Sequence, residues 1–548
     1  MCINTHQARL LANTEADFES AKDLLATRLT AGHGEILVRI GALPLLQKLF
    51  SREDIDSAHG WGGVERTQEE VRFFKNSLQR VAEEIGGKAA LLSDIAGAHP
   101  RAYFLVRLPP PDASSTAEVR CAIVGNVDSG KSTTLGVLTR GGLDDGRGLA
   151  RVALFRHKHE IETGRTSSVG MEILGFDTES RPVLPDTSSS KDPEALRREK
   201  LSWEEISVRS AKIVTFIVDL AGHERYLKTT LYGLTSGAPS CVVLMVGANA
   251  GIIGMSKEHL AISLALSVPI CVCITKIDMT PGNKLEETVK QVDKILRSPG
   301  CRKTPVYIDS TELAVAASQA FAKEKIAPIF QISNVTGQGL NHLRMFLNLL
   351  PSSEDDTEKF DATKPLEFSV TEVWSVPYVG TVVNGIVNSG SVKTGDAILL
   401  GPDANGQYLP TVVKSMQRKR ADVLGAEAGQ TVALALKRTR RAAVRKGMII
   451  IHKTDTPPRA IRRFEGQVLI LYHNTTMQPN YQAMLHCGAV RQTVRILSID
   501  HPQGLLRTGD RATVQFEFIS RPEFVKKGMK LLFREGKTKG LGVITNVL

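Results

Sequence analysis

A glycine-rich run in the first half of the chain has the residue types needed to hold phosphate groups. It reads Gly125-Asn126-Val127-Asp128-Ser129-Gly130-Lys131-Ser132, is followed by Thr133, and fits the pattern G-x-x-x-x-G-K-[ST]. Its glycines let backbone N–H groups turn towards phosphate oxygens. We expect Lys131 to bridge the β- and γ-phosphates of a nucleotide as a catalytic group, and the Ser132 hydroxyl to bind Mg²⁺. The run therefore predicts a nucleotide-binding loop.

A second motif, Asp219-Leu220-Ala221-Gly222-His223, ends a hydrophobic run further along the chain. An aspartate at a strand end can reach Mg²⁺ through a water molecule, and the Gly222 N–H can approach the γ-phosphate. His223 would then orient the attacking water. D-x-x-G alone is a weak signal, and a single histidine is more often a core or surface group. Because His223 follows Gly222 in a motif placed after the phosphate loop, a catalytic role for this histidine is favoured.

The loop between these motifs contains Gly164-Arg165-Thr166-Ser167-Ser168. A loop hydroxyl that closes over Mg²⁺ is what a sensor of the γ-phosphate requires. Thr166 is the predicted metal ligand, and Ser167 and Ser168 are alternatives.

Two later segments indicate which base is bound. Thr275-Lys276-Ile277-Asp278 follows an apolar run, and the Asp278 carboxylate can accept two hydrogen bonds, from N1–H and the 2-amino group of guanine. Adenine lacks that pair of donors. Lys276 can lay its stem along the ring. Ser333-Asn334-Val335, after another apolar run, would supply a backbone donor for the guanine oxygen. These residues predict a guanine nucleotide, GTP, as the substrate.

The elements around these motifs follow an α/β pattern. Short β-rich apolar runs alternate with helical stretches between Val119 and Leu350, which predicts a mostly parallel sheet with crossover helices. The predicted strands are Val119–Val124, Ile213–Asp219, Cys241–Val246, Ile270–Ile274 and Ile329–Ile332.

Other patterns flank this region on both sides. Before it, Thr67 and Glu70 form a capping box ahead of apolar residues at helical spacing, and Ala102–Leu108 is a predicted strand. After it, short strands separated by Gly and Asn turns predict two antiparallel β-barrels. The predicted domains are an α+β region at 1–117, a nucleotide-binding domain at 118–352, and barrels at 365–456 and 459–548.

The motifs together resemble those of the translational GTPases. D-L-A-G-H at Asp219–His223 and two barrels behind the nucleotide domain are similar to elongation factor Tu and elongation factor 1-alpha. Longer strings resemble the family of GTP-binding proteins 1 and 2 more closely. They are Phe155–Glu160, Gly164–Gly170, Gly175–Asp177, Gln331–Thr336, Tyr481–Met484 and Phe533–Gly536.

This resemblance implies a cytoplasmic, P-loop GTPase that binds aminoacyl-tRNA and acts at the ribosome or in RNA turnover. It also implies that Asp128 helps to hold a monovalent cation beside the phosphates. Two departures from the elongation factors stand out. Thr275 replaces the usual Asn, which predicts the loss of a tie between the base loop and the phosphate loop. Gly164-Arg165-Thr166 replaces R-G-I-T.

Composition agrees with a globular protein that works in a reducing compartment. Lys and Arg number 69 against 58 Asp and Glu, a net charge of +11, which allows an RNA partner without requiring one. The seven cysteines lie mostly in apolar runs, which predicts buried thiols. The N-terminus lacks a secretory pattern, and the longest apolar run is too short for a membrane span. We expect a cytoplasmic, monomeric protein with no membrane contact.

Basic residues concentrate in the predicted barrels and favour tRNA, the ribosome or another RNA as partner. They are Lys414, Arg418, Lys419, Arg420, Lys437, Arg438, Arg440, Arg441, Arg445, Lys446, Arg462, Arg463, Arg534, Lys537 and Lys539. Aromatic residues are few in these stretches, so contacts to the RNA backbone are expected to outweigh base stacking. Two alternatives share the same GTPase motifs: a GTP-switched protein scaffold without an RNA partner, and the GTPase subunit of a metabolic transferase.

Overall fold

The computed structural model describes residues 10–11, 14–51, 61–112, 115–152, 154, 170–185, 201–218, 234–352, 359–536 and 538–548. The chain divides into two compact units, one built on the N-terminal region and a large mixed sheet, the other on two barrels. Among the described residues, no helix combines the length and the apolar character needed to cross a lipid bilayer.

The N-terminal region is an antiparallel sheet covered on one face by helices. Its elements are α1 (Glu15–Ala31), β1 (Glu35–Pro44), α2 (Leu46–Ser51), β2 (Trp61–Gly63), α3 (Gln68–Glu84), β3 (Lys88–Ile95) and β4 (Arg101–Arg107). The strand order is β2-β1-β4-β3. The predicted capping box is confirmed, because Thr67 and Glu70 exchange hydrogen bonds at the start of α3. The apolar side of α3, including Phe74 and Leu78, packs with α1 against the sheet.

The large sheet of the first unit is mostly parallel. Its elements are β5 (Ala117–Gly125), α4 (Lys131–Arg140), α5 (Leu149–Val152), β6 (Gly170–Phe176), β7 (Pro182–Val183), α6 (Trp203–Arg209), β8 (Lys212–Val218), β9 (Cys241–Gly247), α7 (Met255–Ala265), β10 (Ile270–Thr275), α8 (Gly282–Arg297), β11 (Thr304–Tyr307), α9 (Thr311–Ala320), β12 (Ile326–Gln331) and α10 (Leu340–Leu349). The order is β11-β12-β10-β9-β5-β8-β6-β7, with β6 and β7 antiparallel to their neighbours.

The central strands of this sheet are apolar along their length because both of their faces are covered. Every residue of β5, β9 and β10 is buried. The predicted strands are found, although β12 begins three residues earlier than expected and the described part of β8 ends at Val218. The described cysteines, such as Cys121 and Cys241, are buried thiols, as predicted.

The N-terminal sheet packs on the large sheet through buried apolar and charged groups. Tyr103 and Leu105 of β4 contact Val315 of α9 and Leu349 of α10. The Arg101 guanidinium donates to both carboxylate oxygens of Glu312, at 2.7 and 2.8 Å. These contacts make the N-terminal region part of the first compact unit.

The first barrel of the second unit is formed by seven strands ordered β16-β21-β13-β14-β20-β17-β18, and pairing of β16 with β17 closes it. The seven strands are β13 (Glu367–Val376), β14 (Gly380–Ser389), β16 (Ala397–Gly401), β17 (Leu409–Arg418), β18 (Ala421–Val423), β20 (Thr431–Leu436) and β21 (Ile449–His452). Two short strands, β15 (Ser391–Lys393) and β19 (Gly425–Glu427), pair with each other in a separate two-stranded sheet. The alternate burial along β14 and β20 fills the barrel with Val383, Val387 and Leu434.

The second barrel is closed in the order β22-β25-β24-β23-β26-β27. Its strands are β22 (Arg463–Tyr472), β23 (Gln482–Cys487), β24 (Val490–Asp500), β25 (Arg511–Phe518), β26 (Lys530–Glu535) and β27 (Thr538–Val547). Phe464 and Phe516 stack at its centre, 5.3 Å apart. The predicted fold class, an α/β domain preceded by an α+β region and followed by two antiparallel barrels, is confirmed. The exact domain boundaries stay predictions.

Candidate functional site

The glycine-rich loop joins the carboxyl end of β5 to the first turn of α4. Gly125 has φ 153° and Gly130 has φ 87°. A Cβ atom on Gly125 would lie 2.5 Å from the Met245 carbonyl oxygen and 2.7 Å from Ser129 Oγ. Both positions therefore require glycine, and the loop can follow its tight path into the helix. Such a path turns backbone N–H groups towards an anion at the helix N-terminus.

Lys131, Ser132 and Thr133 form the first turn of α4, where the predicted phosphate and metal ligands are needed. The Lys131 ammonium donates to the carbonyl oxygens of Gly125, at 3.1 Å, and Asn126, at 2.5 Å. These bonds hold a positive charge over the loop. Asp128 is exposed, with φ 57°, and lines the cavity described below. Its predicted part in binding a monovalent cation stays a prediction.

The base loop begins at the end of β10 and is tied to the phosphate loop. The Thr275 hydroxyl donates to the Ser129 carbonyl oxygen, at 2.9 Å, and Thr275 is completely buried. The expected loss of a tie at this position is therefore wrong: a hydroxyl makes it in place of an amide. Lys276 has φ 63°, and its carbonyl oxygen accepts from Thr280 Oγ1 at 2.7 Å. This turn leaves Asp278 exposed at the cavity.

In the segment after β12, the Ser333 side chain hydrogen-bonds to the backbone that follows it. Ser333 Oγ accepts from the N–H groups of Val335, at 3.2 Å, and Thr336, at 3.0 Å. The Asn334 side chain donates to Thr134 Oγ1 of α4 at 2.9 Å. Side-chain hydrogen bonds thus join Thr275 of one base loop to Ser129 of the phosphate loop, and Asn334 of the other base loop to Thr134 of α4.

A cavity of about 270 Å³ lies among these loops. Its lining includes several predicted site residues: Asp128, Gly130, Thr133, Lys276, Asp278, Asn334 and Val335. The carboxylate of Asp278, the amide of Asn334 and the stem of Lys276 line this cavity together with the phosphate loop. This combination of groups is suited to binding a nucleotide. The structure therefore brings together the phosphate loop and the base loops, although the role of each residue stays a prediction.

Sequence reasoning missed a further wall of this cavity, the loop after α4. Asp144 accepts backbone hydrogen bonds from Gly146, at 3.1 Å, Gly148, at 3.2 Å, and Ala150, at 2.9 Å. Its own N–H donates to the Asn334 carbonyl oxygen at 2.8 Å. The loop brings Arg147 and Arg151 to the cavity. The available signal was the run of Asp and Gly residues at 144–148, which is typical of a tight capped turn.

The second motif and the sensor loop lie outside the described residues. These predictions concern Thr166 with its alternatives Ser167 and Ser168, and Asp219, Leu220, Ala221, Gly222 and His223. The strand before the second motif is described, because β8 runs parallel to β5 and ends at Val218. The carboxyl ends of β5 and β8 therefore share the edge of the sheet from which the phosphate loop starts.

Comparisons with known proteins agree with this site. Residues 117–352 match the family model of the elongation factor Tu GTP binding domain, and residues 380–451 match elongation factor Tu domain 2. Fold and site thus define a GTPase of the elongation-factor type, an enzyme that hydrolyses GTP to GDP and phosphate.

The chain is 44% identical over 543 residues to GTP-binding protein 1 of Xenopus laevis, covering 98% of this chain and 78% of that protein. It is 41% identical over 550 residues to GTP-binding protein 2 of Homo sapiens, covering 99% and 86%. The chain belongs to the family of GTP-binding proteins 1 and 2, as its sequence strings predict.

Solved structures with a similar fold include two elongation factors. A bacterial selenocysteine-specific elongation factor, EF-Sec, aligns with a TM-score of 0.53 and 20% identity, over 78% of this chain and 58% of that one. Elongation factor SelB of Methanococcus maripaludis, in complex with the GTP analogue GppNHp, aligns with a TM-score of 0.53 and 18% identity, over 78% of each chain. At these identities the likeness shows the fold alone.

Proposed function

We propose that this GTPase uses GTP and Mg²⁺ to control the binding of RNA, either aminoacyl-tRNA at the ribosome or another RNA, in the cytoplasm and as a monomer. The nucleotide site is the switch and the barrels carry the RNA surface. The family and the EF-Tu-type domains support the class of function. A concentration of exposed positive charge on the first barrel supports the RNA partner.

In this proposal the phosphate loop holds the nucleotide and Lys131 contacts the β- and γ-phosphates. Asp278 and the backbone after Ser333 select guanine. Ser132, Thr166 and Asp219 offer only oxygen donors, the type that Mg²⁺ prefers, so they fit this ion. When bound, Mg²⁺ neutralises charge that develops on the phosphate oxygens. Gly222 approaches the γ-phosphate, and His223 orients the water that attacks in line.

The observation that carries the RNA partner is the absence of carboxylates from three segments of the first barrel. Residues 373–395, 404–421 and 428–454 contain no Asp or Glu. They meet at one end of this barrel, where Thr381 of β14 pairs with Leu436 of β20, and Val413 of β17 also pairs with Leu436. Such an end attracts a polyanion.

Burial and ion pairing differ among the basic residues of the barrels. Arg418 is completely buried. Arg445 donates to Glu523, at 2.6 Å, and to the Pro402 carbonyl oxygen, at 2.9 Å. Lys446 pairs with Glu372. The expectation that Arg418 and Arg445 neutralise RNA phosphates is therefore wrong, since Arg418 is buried and Arg445 pairs with Glu523.

The remaining cations of this barrel end face solvent. Lys437, Arg438 and Arg440 are exposed, and within the described ranges none of them forms an ion pair with a carboxylate. Lys537 was also predicted to bind RNA and lies outside the described residues, whereas Arg463 pairs with Glu517 at 3.0 Å. We therefore place the main phosphate contacts at Lys437, Arg438 and Arg440.

A charge-reversal experiment tests the RNA partner. The double variant Arg438→Glu/Arg440→Glu is compared with Lys290→Glu/Lys294→Glu, two exposed lysines of α8. Binding of labelled tRNA and of purified ribosomes is measured with GppNHp and with GDP over a series of salt concentrations. We expect the first variant to lose binding and to show a smaller salt slope, and the control to behave as wild type.

Two results would contradict the proposal. One is wild-type protein that binds neither tRNA nor ribosomes in either nucleotide state. The other is RNA binding that both variants retain. GTP-dependent capture of a protein partner without any RNA would favour the scaffold instead.

A further inference from the structure

The tip of the β13–β14 hairpin stands beside the cations of the first barrel. Val376 pairs with Gly380, so residues 377–379 form the tip. The Lys414 ammonium donates to the Val379 carbonyl oxygen at 3.3 Å. The Thr381 hydroxyl donates to the Thr439 carbonyl oxygen at 2.6 Å, which fixes the segment containing Lys437, Arg438 and Arg440 against the base of the hairpin. Hairpin and cations therefore share one end of the barrel.

Two large aromatic side chains project from this hairpin into solvent. Tyr378, at the tip, is fully exposed and has φ 63°. Trp374, in β13, is 44% exposed. A tyrosine in the left-handed region is uncommon and gains nothing from packing at this position. We name Trp374, Tyr378, Lys414, Lys437, Arg438 and Arg440 the hairpin surface.

We propose that the hairpin surface binds single-stranded RNA, with Tyr378 stacking on an unpaired base while Lys437, Arg438 and Arg440 contact the neighbouring phosphates. This inference rests on the proposed function and adds a mode of recognition to it. An aromatic ring next to unpaired cations is the arrangement that binds single strands, because every base offers a flat face. The sequence predicts that backbone contacts outweigh base stacking. At the hairpin surface we propose instead that stacking also contributes.

The shape of the surface favours an unpaired strand over other anionic partners. A duplex hides its base faces in the stack, so a protruding tyrosine would gain no contact there. An acidic peptide would satisfy the cations without using the ring. The single-stranded partner uses both features at once.

The experiment measures the binding of a short fluorescent oligoadenylate to the full chain with GppNHp over a series of salt concentrations. Tyr378→Ala should weaken binding by roughly 5- to 100-fold with an unchanged salt slope, because a stacking contact involves no charge. Tyr378→Phe and Tyr378→Trp should retain binding. Arg438→Gln/Arg440→Gln should reduce the slope by about 1.4, since each of the two lost single-strand phosphate contacts contributes about 0.7. Phe73→Ala, which changes an exposed aromatic residue of α3, is the control.

The outcomes separate this inference from the proposed function. If Tyr378→Ala binds as wild type does while Arg438→Gln/Arg440→Gln is weakened, stacking is refuted and phosphate binding stands. If wild-type protein binds no RNA, both fail. Equal affinity for the oligoadenylate and for its duplex with oligouridylate, or Tyr378-dependent binding to phosphatidylserine vesicles in place of RNA, would also overturn the stacking site.

A second, independent observation concerns helix α7, which contacts the start of the phosphate loop. His259 Nδ1 accepts from the Gly125 N–H at 3.2 Å, and Ser256 Oγ accepts from the Asn126 N–H at 3.0 Å. The two side chains are three residues apart and so lie on the same face of the helix. His259 is 0% and Ser256 1% exposed. Two successive amides of the loop are thus bound to one helix.

We infer that Ser256 and His259 are positioning residues, which fix the entry of the phosphate loop and thereby the direction of its later amides. Only a neutral imidazole can accept at Nδ1. Burial and the nearby Lys131 lower the pKa of His259 to about 3, so the ring is neutral at physiological pH. A shift of helix α7 would therefore move the start of the phosphate loop, because these two hydrogen bonds connect them.

Substitutions that keep or remove the acceptor test this role. His259→Asn places an oxygen near the position of Nδ1 and should release methylanthraniloyl-GDP at about the wild-type rate. His259→Leu and Ser256→Ala should release it about tenfold faster, with an unchanged melting temperature for Ser256→Ala. Wild-type release rates in both of the latter variants would overturn the inference. So would a His259→Asn variant that is folded and no better than His259→Leu.

Discussion

The Thr275 hydroxyl donates to the carbonyl oxygen of Ser129, which joins the base loop to the phosphate loop through a buried 2.9 Å hydrogen bond. Elongation factors use an Asn at this position in the motif, and here a threonine hydroxyl makes the tie to the phosphate loop. The two halves of a nucleotide site are thereby held at a fixed separation. A hydrogen bond of this type between buried groups stabilises the folded protein by about 1 kcal/mol.

Replacing Thr275 by valine tests the tie. Thr275→Val keeps the shape but leaves the Ser129 carbonyl oxygen without its donor, and we expect GDP and GTP to bind roughly fivefold more weakly. Thr275→Ser keeps the hydroxyl and should bind as wild type does. The measurement is isothermal titration with each nucleotide. Equal affinity in all three proteins would show that the tie does not shape the site.

Asp278 is predicted to select guanine, and the Asp278→Asn variant tests this choice. Xanthine carries an oxygen where guanine carries its amino group, so the variant should prefer xanthosine nucleotides and lose at least about tenfold in GTP affinity. Competition against a fluorescent GDP analogue measures both. Glu286→Gln, an exposed change on α8, is the control. An Asp278→Asn variant with wild-type GTP affinity would remove Asp278 from the site.

A buried charge cluster fixes the N-terminal region to the large sheet. Glu35 of β1 pairs with Lys212 of β8 and, at 2.7 Å, with Arg107 of β4, and both cations are at most 1% exposed. Burial alone would raise the pKa of Glu35, but the charges of Lys212 and Arg107 outweigh it and hold the pKa below its ordinary value.

We expect Glu35→Gln to destabilise the first compact unit by about 3 kcal/mol at neutral pH, because two buried cations lose their counter-charge. A carboxyl group with a lowered pKa stabilises the fold above the pKa of the unfolded chain, about 4.3, and this contribution is lost as the pH falls through the folded value. The difference between wild type and variant should therefore shrink in acid. Hydrogen exchange of β1, β4 and β8 measures it.

Glu19→Gln, which breaks an exposed pair with Lys22, is the matched control and should leave the free energy of unfolding close to the wild-type value. A difference between Glu35→Gln and wild type that stayed constant with pH would contradict the assignment of the effect to the Glu35 charge.

The parallel sheet and the phosphate loop could be predicted because local signals and packing agree there. Strands such as β9 are continuously apolar, and the glycines at 125 and 130 have positive φ values that disfavour other residue types. The strong capping box of α3 likewise depends on residues three positions apart. In these elements, short-range sequence determines the structure.

The remainder depends on contacts between distant parts of the chain. The charge of Arg418 looks available in the sequence, yet this side chain, at the end of β17, is completely buried. Arg445 meets its partner Glu523 from the other barrel, 78 residues away. The tie from Thr275 to Ser129 spans 146 residues. Composition and spacing carry no information about such pairs, which only the assembled fold brings together.

His223 is predicted to orient the attacking water, and His223→Ala should therefore separate binding from catalysis. A side chain whose proposed role is to orient water is not needed to hold the base or the β-phosphate, so methylanthraniloyl-GppNHp should bind to the variant with nearly wild-type affinity. Hydrolysis of GTP stimulated by ribosomes or tRNA should fall by about 100-fold or more, the usual contribution of a positioned acid–base group. The measurement is release of labelled phosphate with and without the RNA partner, with Lys290→Ala as a control that should hydrolyse GTP at the wild-type rate. A parallel loss of nucleotide binding would assign His223 to the architecture of the site, and undiminished stimulated hydrolysis would exclude it from the water-activating position.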